Sequence, residues 1–98
     1  DGTKRLLIKG EGSVISWECA RAAVRCGLYC LGVEGMTVGL PESQEEVHLE
    51  LLGSQVVILE SLCLSGVQCG NYFLAAQPLK VSGLDGSPIR AILLEGMI

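Results

Sequence analysis

His48 is the only histidine in this 98-residue chain, so any imidazole-activated nucleophile or imidazole-bound metal must use it. It lies in the run Glu45-Glu46-Val47-His48-Leu49-Glu50-Leu51-Leu52, where helical spacing aligns Val47 with Leu51 and His48 with Leu52. His48 therefore borders an apolar stripe, and spacing alone leaves two readings: a hydrogen-bonded structural histidine or a ligand. Glu60 closes the apolar run Val56-Val57-Ile58-Leu59, where the chain emerges from the core. The helix covers roughly 6 Å beyond His48 at about 1.5 Å per residue. The strand back to Glu60 covers roughly 16 Å at about 3.3 Å per residue. Allowing for the turn between them, both side chains can reach the same end of the layer. An imidazole and a carboxylate converging there suit zinc or manganese, and a solvated strand-end glutamate is the plain alternative. Catalytic zinc takes three protein ligands plus water, so this pair could be only part of a site. The other acids, Glu34, Glu42, Glu45 and Asp85, fall in loops or at a helix start and read as solvated charges.

Other chemistries find less support. Gly10 and Gly12 lie between a strand and a helix, but Ile15 stands where a dinucleotide fingerprint needs its third glycine, so a plain turn is expected. No phosphate-binding loop is present. The five cysteines contain no C-x-x-C pair. Cys19, Cys26 and Cys30 sit among Ala, Val, Leu and Tyr, where a thiol acts as a small buried hydrophobe, and a reducing cytoplasmic setting is the simpler expectation. A net charge of -4, with only Lys4 and Arg5 adjacent among the basic residues, argues against nucleic acid or an anionic membrane as partner. The charge-free stretch 61–79 is long enough to consider as a membrane span, yet Ser65, Gln68, Asn71, Gln77 and Pro78 make it too polar. No charged-then-apolar leader is seen. The opening on Asp1 rather than Met suggests processing, tag removal or truncation.

The elements that must position these groups follow from periodicity. Length bounds the chain to one small domain over 1–98. Hydrophobic residues at 49% against 18% charged are many for so small a core, which argues for association with another copy or a further segment. Arg5 to Lys9 reads as a short buried strand. Ser16 is a candidate N-cap, with Trp17, Ala20, Ala23 and Val24 at helical spacing and Gly27 as terminator. A strand over Leu28 to Val33 completes a strand–helix–strand unit, which implies parallel pairing through a right-handed crossover. A loop to Gln44, a helix from Glu45 to Leu52 ended by Gly53, and a strand from Gln55 to Leu59 follow. Leu62 to Val67 is expected to form one helical turn. Extended runs at Tyr72 to Val81 and Pro88 to Leu94, joined by Gly83-Leu84-Asp85-Gly86, predict an antiparallel hairpin, with the prolines at a bulge, edge or strand end. The fold class is α/β, with a mixed sheet that is parallel early and antiparallel late.

Glu46 to Glu60 (EVHLELLGSQVVILE) and Asn71 to Glu95 (NYFLAAQPLKVSGLDGSPIRAILLE) resemble the C-terminal half of the cyclase family, which includes bacterial kynurenine formamidases. KRLLIKGEG, the helix beginning at Ser16 and the strand end Gly32-Val33-Glu34 extend the likeness over nearly the whole chain, in order. The resemblance implies a swivelling β/β/α fold, here partial, and hydrolysis of small-molecule amides or cyclic amides such as N-formylkynurenine, in tryptophan degradation or a similar step. It implies one or two divalent metal ions, usually zinc or manganese, with His48 and Glu60 as two of the ligands. The remaining ligands and a proton-shuttling histidine belong to a motif His-x-Gly-Thr-His-x-Asp, which nothing in this sequence matches. A second departure is Glu34-Gly35-Met36-Thr37, where many relatives carry Asp followed by Pro-Ser. The expectation is part of a metal-dependent amide hydrolase, inactive unless another polypeptide completes the site, with a homo-oligomer or a missing N-terminal half as the expected partner. The alternative is a non-catalytic, truncated interaction module.

Overall fold

A computed structural model describes residues 4–10, 12, 14–78, 83 and 86–95. In chain order these form β1 (Arg5–Ile8), α1 (Trp17–Arg25), β2 (Cys30–Val33), α2 (Gln44–Gly53), β3 (Val57–Leu59), β4 (Phe73–Pro78) and β5 (Ile89–Leu94). The chain divides into two compact units, Asp1–Ser65 and Gly66–Ile98. The first unit carries a three-stranded sheet in the order β1-β2-β3, with both pairings parallel. The second carries β4 and β5 as an antiparallel pair, with Phe73 opposite Leu94 and Pro78 opposite Ile89. The expected change from parallel to antiparallel pairing is present, and the two parts are separate sheets. Residues 79–82, 84 and 85, with most of the expected turn, lie outside the described residues. No described helix is long and apolar enough to cross a membrane.

The first unit follows from local chemistry. Ser16 caps α1, its hydroxyl oxygen accepting from the Cys19 N–H at 3.2 Å, and Glu18 lies in the first turn. At the other end Gly27, at φ +77°, lets its own N–H bond back to Val24 O while Leu28 N–H bonds back to Ala23 O. The helix presents Ala20, fully buried, together with Ala23 and Val24 to the core. α2 contributes Val47 and Leu51, both fully buried, and β2 contributes Leu31 and Val33. Gly32, between those two, belongs to the opposite face of the sheet. A Cβ there would run into the Leu7 side chain and come within 2.7 Å of Leu62 Cδ1, so a glycine lets both leucines close over the central strand.

Three expectations change. β1 is an edge strand, with Leu6 43% exposed, because no described strand pairs with its outer side. α2 does not end at Gly53, which is still helical. Gln55 takes the left-handed position at φ +62°, with Gln55 N–H bonded to Leu52 O and Val56 N–H to Leu51 O. The segment after Glu60 forms no helical turn. Its Leu62 N–H bonds to Val33 O and its Leu64 N–H to a Glu34 carboxylate oxygen, which draws the backbone along the end of β2.

Candidate functional site

His48 and Glu60 meet. His48 sits one turn into α2, where its Nδ1 lies 2.8 Å from the carbonyl oxygen of Gln44. Its Nε2 lies 3.0 Å from Glu60 Oε2, and both side chains are 31% exposed. Glu60 follows β3 directly, and the same Oε2 accepts the Val38 N–H at 2.8 Å. Val38 is itself tied to the start of α1, its carbonyl accepting the Ile15 N–H at 2.8 Å. The close seat of α2 depends on Gly39, since a Cβ there would fall 2.5 Å from the Gln44 Cα. Spacing on the helix and strand brought the two groups to one end of the layer. The short glycine-bearing loop before α2 brings them into contact.

The ring's hydrogen bonds decide what the pair can do. A backbone carbonyl can only accept, so the Nδ1 facing Gln44 carries a hydrogen. A neutral ring then turns its Nε2 lone pair toward an ionised carboxylate, two acceptors 3.0 Å apart. Such a contact is attractive only with positive charge between the atoms: a proton on Nε2, or a cation held by both groups. Histidines that bind metals characteristically donate their other ring N–H to a carbonyl or carboxylate, which fixes the tautomer and turns the free nitrogen to the ion. Two ligand atoms about 2.1 Å from one ion lie at most about 4 Å apart, so the observed separation is within reach of a shared ion. The residues present thus fit two ligands of a divalent ion. No group of three or more His, Cys, Asp or Glu among the described residues could hold one.

Glu34 is not the solvated charge its loop position suggested. It is part-buried just beyond β2, with Oε1 accepting the Gly10 N–H at 2.7 Å and Oε2 the Leu64 N–H at 2.6 Å. Those two bonds, the one from Leu64 foremost, hold its carboxyl below the ordinary glutamate range against some loss of hydration, and Lys9 adds to the effect. Its partners are 24 and 30 residues distant, so the only sequence signal was its place at the end of a wholly apolar strand. Glu42 and Glu45 are exposed as expected, and Asp85 lies outside the described residues. The Gly10 amide, which a bound phosphate would need, is engaged by Glu34. Of the three cysteines read as buried, only Cys30 is so, and burial pushes its thiol pKa up despite the opposing charge of Arg5. Cys19, on the flank of α1, and Cys26, its C-cap, are exposed.

No family model matches the chain. A kynurenine formamidase from Bacillus cytotoxicus is 32% identical over 105 residues, covering 95% of this chain and 50% of that protein. Cyclase-like protein 2 of Oryza sativa subsp. japonica is 38% identical over 66 residues, covering 66% of this chain and 24% of its own length. A predicted metal-dependent hydrolase from Bacillus stearothermophilus superposes with a TM-score of 0.76 at 29% identity, over 82% of this chain and 39% of that one. The chain belongs to the cyclase-like family. A potential metal-dependent hydrolase with cyclase activity shares the fold, with a TM-score of 0.74 at 22% identity, over 93% of this chain and 58% of the other. The chain thus spans about half the length of the kynurenine formamidase and about a quarter of that of cyclase-like protein 2.

Proposed function

We propose that this chain supplies two ligands, His48 and Glu60, to the divalent metal of an amide hydrolase of the kynurenine formamidase kind. The reaction would need a further segment carrying the other ligands and the proton shuttle. The observation that carries the reading is the 3.0 Å approach of His48 Nε2 to Glu60 Oε2, with Nδ1 already committed to Gln44. Kinship with a kynurenine formamidase supports the substrate class, a small formamide or cyclic amide. A bound zinc or manganese ion would polarise the amide carbonyl and make a water more acidic.

The work of this chain's own residues is orientation. The Gln44 carbonyl holds the imidazole in one tautomer, and the Val38 N–H holds Glu60 Oε2 by a hydrogen bond to a charged acceptor. Neither His48 nor Glu60 has a second role as the acid or base, since both would be engaged by the ion.

The test is complementation. The chain is mixed with a second polypeptide carrying His-x-Gly-Thr-His-x-Asp from a cyclase-family relative, then assayed for formamidase activity and for bound metal by elemental analysis. Metal near stoichiometric amounts and turnover, both lost in His48→Ala and Glu60→Gln, are expected. A complex that forms without gaining metal or activity would sink the reading and favour a non-catalytic interaction module. That second reading draws on the presence of only two candidate donors at the pair among the described residues.

A further inference from the structure

We infer that Glu34 is a positioning residue, whose carboxylate ties together the segments following all three parallel strands and so fixes where Glu60 meets His48. The inference rests on the proposed metal role of that pair for its catalytic meaning, though not for its geometry.

Glu34 extends the central strand of the sheet. One of its oxygens reaches the segment after β1, at Gly10, and the other reaches the segment after β3, at Leu64. A single side chain therefore spans the edge where open parallel sheets place their ligands, beyond the carboxyl ends of the strands. Four hydrogen bonds run between the segments 33–38 and 60–64: Leu62 N–H to Val33 O, Leu64 N–H to Glu34, Ser61 N–H to Gly35 O, and Val38 N–H to Glu60. Glu60 anchors one end of this ladder and the Glu34 clamp anchors the other.

Between them Ser61 is held at φ +59°, a left-handed conformation that a non-glycine residue keeps only where its surroundings over-determine it. Bonds from N–H groups to an ionised carboxylate are roughly twice as strong as neutral ones, so the clamp is suited to holding that turn. Released at Leu64, the segment has a route to relax Ser61, and with it the backbone that aims Glu60. The lowered carboxyl pKa of Glu34 agrees with two N–H groups committed to it.

The chemistry of the clamp separates close substitutes. Glu34→Gln turns an NH2 toward one of the two N–H groups, so one contact becomes donor against donor. Glu34→Asp keeps the charge but is one methylene shorter, and can reach only one of the two segments.

The experiment uses the 98-residue chain, labelled with 15N, with zinc ion alone as the probe. Amide exchange at Gly10 and Leu64, the His48 ring nitrogen shifts, and a zinc titration followed through those shifts are measured for the unaltered chain and both variants. Glu34→Gln is expected to speed exchange at Leu64 about tenfold while leaving Val47 and Leu51 protected. It is also expected to move the His48 Nε2 shift and to weaken zinc binding about tenfold, the lower end of effects seen for groups that support metal ligands. Glu34→Asp should fall between. If Leu64 is freed while the His48 ring shifts and the zinc affinity stay unchanged, Glu34 merely holds a loop and the inference fails. Should Glu34→Gln not fold, the same comparison in Glu34→Asp decides. An unaltered chain whose His48 ignores zinc shows only that two ligands alone hold no ion, which leaves the metal reading to the complementation test, and the ring shift without zinc then decides the positioning role.

Discussion

Glu34 and the His48–Glu60 pair show two ways in which one carboxylate can be committed. Glu60 faces a ring nitrogen and one amide, and Glu34 faces two amides. The folded chain holds the Glu34 carboxyl below its ordinary range, so as pH falls the unfolded chain takes up its proton first. The stability contributed by this carboxylate is fully present above its unfolded pKa of about 4.3, and is lost as pH falls through the lower folded value. Urea unfolding across that window should therefore find Glu34→Gln less stable than the unaltered chain near neutrality, with the gap closing in acid. A gap that stays constant down to strongly acidic pH would contradict the assignment. That His48 and Glu60 reach one end of the layer was legible because a helix and a strand have fixed rises, whereas their contact was not, since it depends on the close seat of α2 at Gly39. Glu34 was not, since its Leu64 partner is 30 residues away in a segment whose path the sequence misjudged as helical.

The two helices end by the same pair of backward hydrogen bonds, yet only one uses glycine. Gly27 occupies the left-handed position after α1, whereas Gln55 occupies it after α2 and Gly53 is spent inside the helix. A rule that reads glycine as the terminator therefore succeeds for the first and stops two residues early for the second. The left-handed conformation costs a residue with a Cβ roughly 1 kcal/mol that glycine avoids. Gln55 is exposed, so little packing is lost with its side chain. Gln55→Gly is expected to raise stability by about 1 kcal/mol, less a few tenths for the freer unfolded chain, and to raise the thermal midpoint by a few degrees. A fall in the midpoint would mean that the Gln55 side chain makes a contribution larger than its strain. Strand positions were legible for a different reason, since β2 is so apolar that only a central buried strand suits it. The edge status of β1 was not, because RLLIK looks the same whether or not a neighbour covers its outer side.

At the scale of the molecule, the two units differ in how far each can stand on its own contacts. The first has eight buried residues in one cluster, from Ala20 to Val56, with a parallel sheet packed on two helices. The second has a two-stranded ribbon, an arrangement that is marginal in water without something packed on it. Its register sets Phe73, Leu94, Ala75 and Ile92 on one face, and Phe73, Ile92 and Leu94 are 46%, 42% and 38% exposed. The abundance of apolar residues over charged ones, legible from composition, thus has one of its locations here, while Met36, Leu49, Leu52, Tyr29 and Val57 of the first unit are more exposed still. Amides open according to local stability, so those of β4 and β5 should exchange with solvent orders of magnitude faster than those of β2 in the chain alone. A polypeptide that completes the hydrolase and also covers this face should slow the ribbon's exchange as it restores metal binding. Restored metal binding with the ribbon still exchanging freely would mean that the ligands are supplied without covering this face, and would leave its three exposed side chains to a different partner.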